Sequence, residues 1–141
     1  MIVYAINEFK DEFENLIQHK SYKNLEEEII NYFFLDKDLS DIQSGVRLNN
    51  DDVRPYIKKR IAGRGGYRIY FFLLIKDENV YLIYVHPKTG KFGKDNVDDK
   101  TKAYLYKRVL ESIKDSDVWT VTHNKQANKL VFESLNEIRF D

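Results

Sequence analysis

Two rhythms of hydrophobic and polar positions run along this chain of 141 residues. Near the start, Phe9, Phe13, Leu16 and Ile17 recur at helical spacing among acids and lysine, which predicts an amphipathic helix from about Glu8 to His19. Ile2 to Ile6 before it is a short β-prone run. A second helix is expected from Asn24 to about Phe34 or Leu35, with Asn24 as N-cap, Glu27 completing a capping-box-like pattern, and acids in the first turn. Residues 36–52 are polar and read as a loop. After Pro55 the rhythm changes. "YIKKRI", "YRIYFFLLI" and "VYLIYVH", separated by a glycine turn and by "KDEN", predict an antiparallel three-stranded meander. A glycine- and lysine-bearing loop follows. Asp98 or Asp99 then caps a third helix with a stripe of Tyr106, Val109, Leu110 and Ile113. "VWTVTH" reads as a further strand, and the last stretch fits helix or strand equally.

These elements predict an α+β fold: a small antiparallel sheet, made of an N-terminal strand plus the meander, with two N-terminal helices on one face and further helix or strand at the C-terminus. The length suits one domain over residues 1–141, with a C-terminal extension from about residue 115 to 141 of unassigned role. With 43% hydrophobic and 14% aromatic residues the composition is that of a folded protein. No cysteine is present, so neither a disulfide nor a thiolate metal site can form. The first residues lack a signal-like pattern, and the longest apolar run, Ile69 to Ile75, is far shorter than the roughly 20 residues of a membrane helix. A soluble cytoplasmic protein without membrane contact is expected.

Formal net charge is zero, but its distribution is uneven. Residues 1–50 carry five Lys/Arg against ten Asp/Glu, residues 51–94 carry ten against four, and residues 95–141 carry eight against nine. The basic middle concentrates Lys58, Lys59, Arg60, Arg64 and Arg68 around the glycine turn, and Lys88, Lys91 and Lys94 in the loop after the next strand. Strand alternation places Tyr67, Ile69, Phe71, Leu73 and Ile75 on one face and Arg68, Tyr70, Phe72 and Leu74 on the other. Lys58 and Arg60 share a face, opposite to that of Lys59 and Ile61. Such a cluster is often only the solvated rim of a turn. Here it is interleaved with Tyr70, Tyr84 and His86, a mixture suited to single-stranded nucleic acid: cations for phosphate, rings for bases.

"KKRIAGRGGYRIYFFLLIKDENVYLIYVHPKTGKFGKDNV" resembles the core of the RelE/ParE superfamily of bacterial toxins, nearest its RelE and HigB branches. The resemblance lies in a basic strand, a glycine turn ending in Gly-Tyr-Arg (Gly63 to Arg68), the strand Tyr81 to Val85, Lys88, and Asp95-Asn96. It implies a type II toxin, a ribosome-dependent mRNA endonuclease that uses Arg and Lys with no metal or other cofactor. Its implied partners are a cognate antitoxin, the ribosome and mRNA. By family position Arg68 would hold the scissile phosphate, with Lys88, Lys94 and His86 as candidates for acid–base work. Lys58, Lys59, Arg60, Arg64 and Lys91 would grip RNA, with Tyr70 and Tyr84 beside them. Two alternatives keep the fold: a ParE-like gyrase inhibitor, and a non-catalytic module that binds an antitoxin or nucleic acid. The chain's neutrality and its long lysine loop depart from the family pattern.

Overall fold

In a computed structural model the structure describes residues 1–35, 37–63, 66–94 and 96–135. The chain is α+β, with a mixed sheet of seven strands and four α-helices among the described residues. Its elements in chain order are β1 (Ile2–Ala5), α1 (Asn7–Ile17), a 3-10 turn (Lys20–Tyr22), α2 (Leu25–Phe33), α3 (Leu39–Ile42), β2 (Val46–Arg47), β3 (Tyr56–Ile61), β4 (Tyr67–Leu74), β5 (Asn79–Pro87), α4 (Asp99–Lys114), β6 (Trp119–Asn124) and β7 (Lys129–Ser134). The strand order is β2-β3-β4-β5-β1-β6-β7.

The sheet is larger than the small four-stranded one expected from the sequence. β3, β4 and β5 pair antiparallel in succession, but β1 inserts parallel to β5 and so presents its other edge to β6. The strand expected at "VWTVTH" is β6, and the ambiguous stretch after it supplies β7, which pairs with β6 as a hairpin whose turn is closed by Asn128 in the left-handed region at φ 52°. The polar segment expected to be a loop contains α3 and β2.

Both faces of the sheet are covered, although only one covered face was expected. On the first, Phe9, Phe13 and Leu16 of α1 and Leu25, Ile29 and Phe33 of α2 pack on Ile57, Ile69, Phe71 and Leu82. On the second, Leu105 and Val109 of α4 pack with Tyr56, Phe72, Tyr81 and Ile83. Each of these buried side chains contributes roughly 1.5–3 kcal/mol by leaving water. Leu110, expected in the helix stripe, is 39% exposed, and Leu105 takes the buried place. Asn24 does not cap α2 with its side chain, because its Oδ1 accepts a hydrogen bond from the Tyr67 hydroxyl instead. A reciprocal capping box is found on α3, between Asp38 and Asp41.

One irregularity decides which residues share the second face. Tyr70 lies opposite Tyr84 and Phe71 opposite Leu82, so Ile83 is an extra residue on β5. Such a bulge reverses the alternation beyond it. Tyr81 and Ile83 point to the second face before the bulge, and Tyr84 and His86 do so after it. Without the extra residue the strand would turn Tyr84 and His86 to the first face, away from Arg68.

Candidate functional site

Register across β3, β4 and β5 lays the second face out in three rows. The innermost is Tyr56–Phe72–Tyr81, the next Lys58–Tyr70–Tyr84, and the outermost Arg60–Arg68–His86. The innermost row lies under α4, where Tyr106 stacks on Tyr56 at 5.2 Å and meets Phe72 edge-on at 5.9 Å. The outer two rows carry the cations. Arg60 is exposed and sits directly across from Arg68, which is only 6% exposed. Two arginines at one register position build a strongly positive strip, since like charges in such pairs repel.

The loop after β5 completes the strip, and it is held in place by Tyr22, which packs with the first-face core. The Tyr22 hydroxyl donates to the Thr89 carbonyl and accepts from the Phe92 amide, each at 3.0 Å. Gly90 adopts φ +83°, and a Cβ there would come within 2.5 Å of the Tyr22 hydroxyl, so the close approach requires glycine. The Lys94 amide then returns to the Pro87 carbonyl at 3.0 Å. This brings the Lys94 ammonium 3.5 Å from the Tyr84 hydroxyl and 5.7 Å over its ring. Two residues on, Asn96 Oδ1 accepts from Lys58 Nζ at 2.9 Å and from the Tyr70 hydroxyl at 3.2 Å.

Beneath these groups lies His86, 1% exposed. Its Nδ1 faces the Pro87 carbonyl at 3.1 Å, and a carbonyl can only accept, so the neutral ring carries its proton on Nδ1. Nε2 is left as an acceptor, 3.2 Å from the Tyr70 hydroxyl, whose single proton it shares with Asn96 Oδ1. Burial pushes the His86 pKa down to about 4; the Pro87 carbonyl opposes this, while Lys94, Lys58 and Arg68 add to it. Burial likewise raises the Tyr70 hydroxyl to about 12, so it remains protonated and serves as a donor. The Lys58 ammonium is disfavoured by burial and by the nearby charges of Lys102 and Arg68.

These neighbours answer which residues converge. Arg68, Lys58 and Lys94 all act on His86, and Tyr70 and Tyr84 lie among them. Lys88 is exposed and is not among the charges acting on His86; its described bond is backbone, to Gly66. Lys59 is on the first face, bonded to Ser44 at 3.0 Å and 6.0 Å over Tyr32. Lys91 lies 5.5 Å over Phe92, on the part of the loop that packs near Tyr22 and His19. Tyr70 is fully buried, so its ring offers no face for a base to stack on, and the half-buried Tyr84 is the available one. Arg64 and Asp95 lie outside the described residues. Asn96 and Lys102 belong to the site although sequence reasoning did not single them out; Asn96 lay within the quoted Asp95-Asn96 pair, the one available signal.

The buried imidazole has a measurable consequence. A histidine whose folded pKa lies below its unfolded value stabilises the fold above the unfolded value, near 6.5, and that contribution is lost as pH falls towards 4. For His86 the full loss is roughly 3 kcal/mol by this linkage. We expect the difference in unfolding free energy between the wild type and His86→Gln to shrink across pH 6.5 to 4, as followed by denaturant unfolding. Imidazole NMR resonances should place the His86 midpoint near 4.

Comparison with family models, with curated proteins and with solved structures found no match to this chain.

Proposed function

We propose that this chain is an endoribonuclease that cuts mRNA on the ribosome, the toxin of a toxin–antitoxin pair. The observation that carries the reading is the convergence of Arg68, Lys58 and Lys94 on one sheet face beside Tyr84 and Asn96. The basic 51–94 segment holds these three cations within a chain of zero net charge, which gives RNA phosphate a local site without a generally basic surface.

Cleavage at such a site uses the RNA's own 2′-hydroxyl. Its oxygen bonds to the adjacent phosphorus, the bond from phosphorus to the 5′-oxygen breaks, and a 2′,3′-cyclic phosphate and a 5′-hydroxyl result. Lys58, whose charged form is disfavoured, takes the proton of the 2′-hydroxyl. The Arg68 guanidinium holds the phosphate oxygens as negative charge builds on them. Lys94, on the exposed loop, delivers a proton to the departing 5′-oxygen. His86 and Tyr70 are buried and act as positioning groups: Tyr70 fixes Asn96, and Asn96 fixes Lys58.

The burial of His86 and Tyr70 also favours a second reading, a face that binds RNA without cutting it. Induced expression with mapping of mRNA 5′ ends separates the two. The endonuclease reading expects growth arrest and new 5′ ends within translated codons. A protein that leaves every transcript intact and growth unimpaired is not this nuclease.

A further inference from the structure

Next to the cationic strip, on the same sheet face, is a pocket of about 490 Å³ between β3, the segment after β2, and the first turns of α4. Its walls are Leu48, Ala103 and the stacked rings of Tyr56 and Tyr106. Arg47 and Lys102 stand on its rim. The pocket is built rigidly: the Tyr56 hydroxyl donates to the Lys102 carbonyl at 3.1 Å, tying α4 to the sheet. Asn49 accepts from the Tyr56 amide at 3.0 Å and donates to the Arg54 carbonyl at 3.0 Å, which fixes the opposite wall.

We infer that this pocket receives a base of the single-stranded RNA whose backbone runs along Arg68 and Lys58. The inference rests on the proposed RNA-cleaving face and names the subsite that holds its substrate. Three observations carry it. Tyr56 and Lys58 are alternate residues of β3 on one face, about 7 Å apart, so the pocket begins one step along the strand from the phosphate-binding row. Lys102 and Arg68 both bear on Lys58, so positive charge continues without a break from the strip to the pocket rim. Apolar and aromatic walls with cations only at the mouth suit a flat base inside and its phosphate outside. The rim carboxylates do not close it. Asp99 is 3.7 Å from Lys102 and Asp52 is 3.0 Å from Arg47; both carboxylates are fully exposed to water, and ion pairs with such a solvated partner contribute little and yield to a phosphate.

Ala103 is exposed on α4, so Ala103→Leu should fold normally and fill the pocket. The test measures binding of the full chain to a fluorescein-labelled single-stranded RNA decamer, and to a series of decamers with one abasic ribose at each position in turn. The wild type should lose about tenfold in affinity when one particular base is missing. Ala103→Leu should bind the intact decamer about tenfold more weakly and be indifferent to that missing base. If Ala103→Leu binds and discriminates like the wild type while the wild type cleaves mRNA, the pocket inference falls and the nuclease reading stands. If it loses only a protein partner, the pocket is a protein-docking site and the inference also falls. If the wild type neither binds nor cuts RNA, both fall together.

Discussion

Arg68→Ala is expected to lower the rate of mRNA cleavage by at least about a hundredfold, the usual effect of removing one donor that stabilises developing negative charge. The expectation follows from where Arg68 sits. It is the middle residue of the outermost row, flanked by Arg60 and His86, and it contributes to the field felt by Lys58, His86 and Tyr70. Arg68→Lys should recover only part of the activity, because an ammonium cannot offer the guanidinium's two parallel donors to a phosphate. Arg68 is nearly buried, so its loss could also disturb packing. Lys94→Ala separates the two effects, since Lys94 is exposed on the loop and its removal leaves the core intact. A loss of cleavage in both variants with unchanged thermal unfolding supports the site. Full activity of Arg68→Ala would show that the strip does not hold the reacting phosphate.

Gly66→Ala is expected to be the most damaging glycine-to-alanine change among the described residues, costing roughly 3 kcal/mol of stability. A Cβ at Gly66 would lie 2.2 Å from the Ile61 carbonyl oxygen and 2.9 Å from backbone atoms of Ala62. Those are backbone atoms of the strand across the turn, so no side chain can swing aside to make room. The Gly66 amide and carbonyl are also engaged, with the Gly63 carbonyl at 3.2 Å and the Lys88 amide at 3.0 Å. Relief of the clash must shift the start of β4, and Arg68 is two residues further along. Thermal unfolding should therefore fall by about 10 °C, and cleavage should fall with it. Gly63→Ala provides the contrast: nothing lies within 4 Å of its added Cβ, and only its φ of +58° opposes the change, at about 1 kcal/mol. Equal stability of the two variants would mean that the turn is packed differently.

Local alternation made much of the site legible in the sequence, and its limits are equally physical. The split of Lys58 and Arg60 from Lys59 follows directly from a period of two, as does the separation of Arg68 and Tyr70 from the core face. The face of His86 does not, because the extra residue Ile83 reverses the phase of β5 and no residue pattern in "VYLIYVH" marks the bulge. Long-range partners were hidden for another reason. Asn96 meets Lys58 across 38 residues of chain, a contact set by how Tyr22 and Gly90 hold the loop. The full sheet was hidden too, since β1 has only four residues and finds its parallel partner in β5, far along the chain. Asn24 holds the N-cap position that the sequence predicts, but its side chain does not cap, because propensity describes only its neighbours in sequence while the Tyr67 hydroxyl competes for its oxygen in space.

The measurement that bears most directly on the central claim is cleavage of a defined mRNA by the purified chain, read by primer extension with and without translating ribosomes. New 5′ ends are expected inside the codon occupying the ribosomal A site, carried by fragments with a 5′-hydroxyl, and absent both without ribosomes and with Arg68→Ala. Intact mRNA on ribosomes to which the wild-type protein is demonstrably bound would contradict the claim.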